Sequence, residues 1–179
     1  MYGRVMCALG AMMLVAGCKA QEQSNQASAS NNLVQSAETR TAAAGPLSKE
    51  QALALMHERH EHMEAFGDEA KKVGNQLKSS SPDVAAIQQS AAKIAELAPK
   101  LQSWFPAGTG PDVGKTRAKP EIWQKAEDFT LKAHDFEQAA QQFDVAAKSG
   151  DLGQIRMTFD ALGKTCKACH DLYRAPEKH

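Results

Sequence analysis

Residues 162–170 of this 179-residue chain read LGKTCKACH, and this stretch near the C-terminus decides the fold. Two thiols separated by two residues can add across the two vinyl groups of a haem, and the histidine after the second cysteine then falls under the iron. The spacing therefore predicts that Cys166 and Cys169 hold one haem c covalently and that His170 is an axial ligand of its iron.

Other interpretations of the motif need features that the sequence does not show. A zinc site requires a second pair of Cys or His ligands at similar spacing, and a thioredoxin-like redox motif requires a βαβ context. The chain has four cysteines, of which Cys7 falls in an N-terminal leader and Cys18 at a processing site. No pair is left for a disulfide, and a metal knuckle or a chance match is the alternative to haem attachment.

A short apolar segment opens the chain. Residues 5–16 are too few to span a bilayer and are typical of the hydrophobic region of a secretory signal. Residues 14–18, LVAGC, resemble a bacterial lipoprotein box, so we expect residues 1–17 to be removed and Cys18 to be lipidated. The residue after the cysteine is Lys19 and not Asp, which by the same resemblance favours the periplasmic face of the outer membrane. The alternative is an ordinary secretory signal with an incidental cysteine.

The composition changes after this cysteine. Residues 18–46 are mostly Gln, Ser, Asn, Thr and Ala, and such a segment cannot bury enough apolar surface to offset its chain entropy, which predicts a flexible tether. Residues 47–179 have the size of one ordinary domain. The chain carries 21 Lys and Arg against 21 Asp and Glu, a balance that gives no electrostatic basis for binding nucleic acid.

Apolar residues in the domain recur with a helical period, and no alternating strand pattern is present. Four helices are predicted: from a capping box at Ser48 to about Lys78, from an N-cap at Ser81, from Pro120, and after the break at residues 150–151. The core positions predicted for the first helix are Leu53, Met56, His60, Met63, Gly67, Ala70, Gly74 and Leu77. In the last helix, Met157 is also interpreted as core.

The fourth helix carries the haem motif on its own apolar stripe. The stripe consists of Leu152, Ile155, Phe159, Leu162, Cys166, Cys169 and Tyr173. Residues three apart on a helix project from neighbouring points of one face, so both cysteines aim into the core. Gly163, one turn earlier, either lets the porphyrin edge approach the backbone or is a tolerated helix glycine.

At this point the sequence resembles the cytochrome c-prime group of four-helix-bundle haem proteins. The matching stretches are residues 162–170 followed by Tyr173 and Arg174, FPAG at residues 105–108, and KPEIW at residues 119–123. The resemblance implies an all-α, antiparallel, left-handed four-helix bundle that encloses one haem near one end. It also implies His170 as the proximal ligand, Arg174 close to the proximal face, and a homodimer formed through the first two helices.

The resemblance places Met56 on the other face of the iron. Members with a non-ligand there leave the sixth position open and bind nitric oxide or carbon monoxide, whereas members like the cytochrome c-556 branch use a methionine, in a Leu-Met context like Leu55-Met56, as the sixth ligand. A thioether is a soft, neutral ligand that stabilises ferrous iron, and a filled coordination sphere suits an electron carrier. His60, one turn along, is a further candidate ligand.

One position departs from the family pattern. Many members have an arginine four residues before the distal position, where it pairs with a haem propionate, but this chain has Ala52. Arg59 and Lys49 are the candidates to replace that charge.

The run at residues 57–62, HERHEH, invites a second interpretation. His57 with Glu61, and His60 with Glu64, have the i,i+4 spacing that can hold a copper or zinc ion. The sequence favours a solvated charged helix face with His60 turned inward over this metal site.

The sequence as a whole predicts a periplasmic monohaem cytochrome, low-spin with His170 and Met56 as ligands, that passes single electrons between redox proteins. It predicts contact with the membrane through the lipid anchor only, no nucleic-acid partner and no enzymatic turnover. The alternative function is a high-spin cytochrome c-prime that binds nitric oxide or carbon monoxide. A metal-sequestering lipoprotein without haem is a third candidate.

Overall fold

The computed structural model describes residues 46–176, and the regular structure in that range is helical. The signal segment, Cys18 and the tether up to residue 45 lie outside the described residues, as do the last three residues. No helix of the described part combines the length and apolar character that crossing a membrane requires.

Four long helices form the described part, together with two short ones. The α-helices are α1 Lys49–Lys78, α2 Val84–Leu97, α3 Glu121–Gln124, α4 Ala126–Ser149 and α5 Leu152–Tyr173, and a 3₁₀ helix at Ala98–Trp104 continues α2. The closely packed long pairs are α1 with α2, α2 with α4, and α4 with α5. Successive helices run antiparallel, and the predicted all-α four-helix bundle is confirmed.

The structure shows which residues cap the N-termini of α1 and α2. Ser48 and Gln51 form the predicted capping box, with the Ser48 amide 2.8 Å from Gln51 Oε1 and the Gln51 amide 3.2 Å from Ser48 Oγ. The predicted N-cap of α2 at Ser81 is wrong, because Asp83 Oδ1 accepts from the amide of Ala86 at 3.1 Å. Asp83 itself has extended backbone, with φ −79° and ψ 99°, so the helix begins one residue later at Val84 and its first turn is capped by this carboxylate.

The third predicted helix is divided. Lys125 has φ −121° and ψ 49°, which separates the short α3 from α4. Gly150 then ends α4 in the left-handed region at φ 73°, where glycine has no steric penalty. Asp151 caps α5 by accepting from the amides of Gly153 at 2.8 Å and Gln154 at 3.2 Å.

The core lies where α2, α4 and α5 meet. Its fully buried members include Ile87, Phe143 and Ile155. The buried face of α4 alternates phenylalanine with alanine, and the small residues let α2 and α5 approach closely. The buried alanines of α4 are Ala133, Ala139, Ala140, Ala146 and Ala147.

A buried polar cluster joins α1 to α2. Glu69 accepts from Ser90 Oγ at 2.7 Å and from Lys72 Nζ at 2.9 Å, and Lys93 Nζ of α2 lies 3.2 Å from the same carboxylate. Because a buried carboxylate is tolerated only when it is paired, these bonds fix the register of the two helices.

The core face of α1 differs from the predicted one. Leu53 is 41% exposed and His60 is exposed, whereas Arg59 and Val73 are buried. The assignment of Met157 to the core is also wrong, since it is 61% exposed. A 3.6-residue period fits several neighbouring stripes on a long helix. Which stripe is buried depends on the contacts that the neighbouring loop makes, such as the hydrogen bonds of Thr109 with Arg59.

We predict that Phe143→Ala lowers the free energy of unfolding by about 3–5 kcal/mol, because the cavity forms in a core that cannot collapse around it. Denaturant unfolding of the holoprotein measures this effect. Val145→Ala is the matched control, since Val145 lies two residues along α4 and is 68% exposed. We expect that control to change stability by less than about 0.5 kcal/mol, and an equal loss in both variants would contradict the packing described above.

Candidate haem site

The haem motif lies on the core stripe of α5, as the sequence predicts. Leu162 and Tyr173 are buried on that stripe, and Cys166 and Cys169 between them are half-buried and pack against the core. The two thiols therefore share one face of a rigid helix at the boundary between core and solvent. This is the placement that a covalently held, largely apolar group requires.

The electrostatics of the two thiols agree with attachment through neutral sulfur. Burial raises the pKa of Cys166, and burial together with the neighbouring Cys166 raises the pKa of Cys169 to about 11. Thiolate metal sites instead stabilise the charged form. Within residues 46–176 no group of three or more His, Cys, Asp or Glu side chains converges on a point where a metal ion could be held.

His170 follows the second cysteine on the more exposed side of the stripe. Partial burial of its ring lowers the pKa of His170, and the positive charges of Arg174 and Arg117 lower it further. The imidazole is therefore neutral at neutral pH, which is the form that ligates iron. The effect of Arg174 on this ring agrees with a position near the proximal face.

The C-terminal end of α5 is held by the segment before α3. Lys119 N donates to the carbonyl of Tyr173 at 2.9 Å, and Ala175 N donates to that of Arg117 at 2.8 Å, so a single bridge pairs Ala118 with Arg174. The ammonium of Lys119 also donates to the carbonyl of Leu172 at 3.0 Å, which satisfies a free carbonyl of the last turn.

Tyr173 fixes the same end of α5 from its other side. Its ring packs edge-on against Phe129, with centroids 5.4 Å apart, and its hydroxyl donates to Asp128 Oδ2. The helix that carries the haem ligands is thus anchored to α4 within one turn of His170.

Helices α1 and α5 leave room for a flat group. Of the helix pairs in the described range, these two are not closely packed, although they meet where Arg156 Nη1 donates to the carbonyl of Leu77 at 2.6 Å. Beside that contact a groove of about 460 Å³ is lined by Gly74, Phe159 and Gly163. A Cβ at either glycine would meet no atom within 4 Å. Cys166, Cys169, His170 and Met56 do not line this groove, so it marks a gap between α1 and α5 next to the haem motif and is not itself the haem site.

Met56 is buried on α1, with 7% of its surface exposed. Its thioether lies close to the loop before α3: a Cβ built on Gly114 would be 3.3 Å from Met56 Cε and 3.7 Å from Met56 Sδ. The same Cβ would lie 2.5 Å from Leu53 Cδ2, so a larger residue at position 114 would have to displace the partly exposed Leu53 side chain.

The structure places His57 and His60 on the exposed face of α1. His60 points to solvent, with its Nε2 3.3 Å from Glu64 Oε1, and is wrong both as a core residue and as an inward-facing candidate ligand. His57 likewise lies 3.9 Å from Glu61 on the exposed face. These pairs are surface ion pairs of the helix, where side chains remain hydrated and no third ligand approaches.

Arg59 was predicted as a partner for a haem propionate, but its guanidinium is buried and engaged elsewhere. It donates from Nη1 to Thr109 Oγ1 and from Nη2 to the Thr109 carbonyl, both at 3.0 Å. Ala52 is buried in an apolar setting, and Lys49 is exposed at the start of α1. Sequence reasoning did not predict the burial of Arg59, although Arg59 stands three residues after Met56 and four before Met63, on the apolar face of α1.

Comparison with known proteins identifies the architecture. Residues 54–174 match a family model described as Cytochrome C'. The chain belongs to the cytochrome c' family. A cytochrome c' from Pararhodospirillum photometricum is 35% identical over 121 residues, which cover 68% of this chain and 96% of that protein.

Two solved structures extend the comparison. A cytochrome c' with ligand-controlled dimer dissociation is 29% identical, with a TM-score of 0.66 over 74% of this chain and all of that one. A ferrous variant of cytochrome c' from Alcaligenes xylosoxidans with bound nitric oxide is 27% identical, with a TM-score of 0.64 over 74% and 100% of the two chains. Membership of the family confirms the predicted haem c, held through Cys166 and Cys169.

When bound, haem c supplies an iron that exchanges one electron and has axial positions for ligands. The residues of this cytochrome c' divide the work of holding it. Cys166 and Cys169 would fix the macrocycle to α5, His170 would offer a ring nitrogen beside them, and Met56 would present a buried, uncharged side chain from α1.

We predict that Tyr173→Phe lowers the free energy of unfolding by about 1–2 kcal/mol, because the half-buried Asp128 loses a donor. Burial, followed by the bond to Asp128, raises the pKa of Tyr173 to about 12. A raised pKa means that this contribution is complete below the ordinary value near 10 and is lost as the pH rises to about 12.

Denaturant unfolding of the wild type and Tyr173→Phe at several pH values measures the difference. We expect the gap between them to be constant up to about pH 10 and to close by about pH 12. A gap that does not depend on pH would show that the hydroxyl does not stabilise the end of α5 through this bond.

Proposed function

We propose that this cytochrome c' binds a diatomic gas, nitric oxide or carbon monoxide, at an open sixth position of the iron beside Met56. The observation that carries the proposal is the position of the Met56 thioether. Its terminal atoms lie beside Gly114 of the loop before α3, close enough that a Cβ there would be 3.3 Å from Met56 Cε. In our proposal the sulfur stays on the loop side and does not ligate the iron.

The surroundings of Met56 favour a small uncharged ligand. Ala52, one turn before it, is buried and brings no charge, and the guanidinium of Arg59, one turn after it, is bound to the loop. Burial of Ala52 and Met56, with no free charge supplied by Arg59, disfavours an anionic ligand, because a charged ligand would lose its solvation there. The Alcaligenes xylosoxidans structure with bound nitric oxide supports the same function for this chain.

A second candidate is the low-spin electron carrier with Met56 as the sixth ligand. It is favoured by one observation, which is that Met56 is buried on α1 and not exposed to solvent. A thioether there is chemically suited to ferrous iron, so the two candidates differ only in where one sulfur atom points.

We predict that the reduced wild-type holoprotein has a broad high-spin spectrum that shifts with carbon monoxide, and that Met56→Leu keeps this behaviour. Leucine has a similar volume and no sulfur, so we expect the carbon monoxide affinity to change by less than about tenfold. Optical titration of both proteins measures this.

Met63→Leu is the matched control, since Met63 is a half-buried methionine two turns along the same helix. A sharp low-spin α band in the wild type, with no response to carbon monoxide, would overturn the gas-binding proposal. Conversion of that spectrum to a high-spin, gas-binding form in Met56→Leu alone would establish Met56 as the ligand.

We also propose a homodimer through α1 and α2. A relative with a ligand-controlled dimer supports it, and the two helices form a register-locked pair through Glu69. The two glycines of α1 lie in different surroundings. Gly74 lines the groove between α1 and α5, whereas Gly67 is exposed, and a Cβ built on it would meet no atom within 4 Å. Gly67 therefore suits close approach of a second copy.

The proposed location is the periplasm, with the protein anchored by lipid on Cys18, and the proposed partners are periplasmic redox proteins that supply electrons to the iron. The lipid would be the sole membrane contact. We propose no turnover chemistry beyond this redox exchange.

We predict that Cys18→Ser moves the protein from the membrane fraction to the soluble periplasmic fraction without loss of haem, because acyl chains provide its anchor. Fractionation followed by haem staining measures this. Cys7→Ser is the control and should remain in the membrane fraction, and a Cys18→Ser protein that also stays there would exclude the lipid anchor.

A further inference from the structure

We propose that Arg59 is a positioning residue that holds the loop before α3 against the Met56 thioether and so keeps the sulfur away from the iron. This inference rests on the proposed function, in which the sixth position is open to gas. It concerns how this chain prevents its own methionine from occupying that position.

The guanidinium of Arg59 grips the loop on both sides of Gly114. It donates twice to Thr109 at 3.0 Å, as described above, and Nη2 also donates to Thr116 Oγ1 at 3.3 Å. Thr109 precedes Gly114 and Thr116 follows it, so one side chain fixes both arms of the segment that carries the glycine. A weaker contact of 3.5 Å joins Nη1 to the carbonyl of Trp104.

The surroundings leave the guanidinium no alternative partner. Arg59 is 4% exposed, and its Cζ lies 4.8 Å from the ring centroid of Phe105 and 5.8 Å from that of Trp123. Both distances are within the range of a cation–π interaction. Trp123 is itself fixed, since its Nε1 donates to the carbonyls of Phe105 and Pro106 at 3.1 Å. A buried charge held this way is costly to release.

The hydrogen bonds from Arg59 to Thr109 and Thr116, which we call the clamp, start from the same face of α1 as the Met56 thioether. Met56 precedes Arg59 by one turn of α1, so the helix provides both the anchor of the loop and the side chain on which the loop lies. Gly114 lies beside the buried Met56, since even a Cβ built on this glycine would come within 3.3 Å of Met56 Cε. If the loop lifts, the sulfur gains the freedom to rotate.

A freed thioether competes with gas for the iron. If the sulfur occupied the sixth position nine-tenths of the time, the apparent dissociation constant for carbon monoxide would rise about tenfold, because only the unligated fraction binds. Arg59 would therefore set the spin state and the gas affinity without contacting the haem.

The decisive variant is Arg59→Lys, which keeps the positive charge but cannot reach Thr109 and Thr116 together, because lysine lacks the planar fork of arginine. In the holoprotein we expect a low-spin component and an affinity for carbon monoxide weakened by about tenfold. Adding Met56→Leu to Arg59→Lys should restore the high-spin spectrum and the affinity, because the competing sulfur is gone.

Thr116→Val is a milder variant that removes one arm of the clamp, and it should give the same change to a smaller degree. Lys115→Ala is the matched control, since Lys115 is an exposed loop residue between Gly114 and Thr116. It should leave the spectrum and the affinity as in the wild type. Amide exchange at Val113, whose N–H donates to the carbonyl of Gly110, reports loop release independently of the haem. Ala118 is a second reporter for Arg59→Lys only, because Thr116→Val removes the hydroxyl to which the Ala118 amide donates.

The outcomes separate the two proposals. A high-spin wild type whose Arg59→Lys and Thr116→Val variants exchange loop amides faster, yet keep its spectrum, overturns the role of Arg59 and leaves the gas-binding function intact. A low-spin wild type overturns both. Should Arg59→Lys fail to fold, an unchanged spectrum in Thr116→Val alone is sufficient to reject the inference. A low-spin component that persists after Met56→Leu is added also rejects it.

Discussion

The structure depends on two cysteines occupying core positions of α5. Cys166 and Cys169 stand where the stripe of Leu162 and Tyr173 would otherwise place larger apolar side chains, and both remain half-buried. The two thiols therefore lie at the edge of the core, where a covalently held apolar group would extend the buried surface of α5.

This constraint determines the arrangement of the other helices. α4 packs tightly on α2 and α5 through its alanines, whereas α1 packs on α2 and keeps its distance from α5. Glycines at Gly74 and Gly163 leave the facing surfaces open where the two helices line a groove. The loop before α3 then bridges the two walls, because it binds Arg59 of α1 near its start and the end of α5 through Lys119. Displacement of either wall is therefore transmitted to the other through the loop.

Sequence reasoning predicted what local chemistry determines. The capping box at Ser48, the stripe of α5 and the left-handed break at Gly150 each follow from residues within one turn, and each is confirmed. The start of α2 was misplaced because two neighbouring residues can both cap a helix, and the choice depends on the backbone around Pro82. The break at Lys125 carries no Gly or Pro signal.

The role of Arg59 could not be predicted from local sequence, because its partners lie about fifty residues away, at Thr109 and Thr116. A charged residue next to an apolar stripe is normally predicted to be exposed. The helical period of α1 also allows His60 to occupy the core position, so His60 was predicted to be buried and Arg59 was not. A useful signal was present: the loop is rich in glycine and threonine, and small polar residues that flank glycines provide the acceptors that a buried guanidinium needs.

A buried arginine constrains a loop differently from an apolar contact. An apolar contact weakens gradually as surfaces separate, whereas a desolvated guanidinium whose bonds are broken is left as an uncompensated charge, at a cost of several kcal/mol. Burial lowers the pKa of Arg59, yet arginine keeps its proton near neutral pH, so the charge cannot be relieved by deprotonation. Release of the loop from the buried guanidinium of Arg59 is therefore costly, and in our proposal this cost is what keeps the loop beside the Met56 thioether.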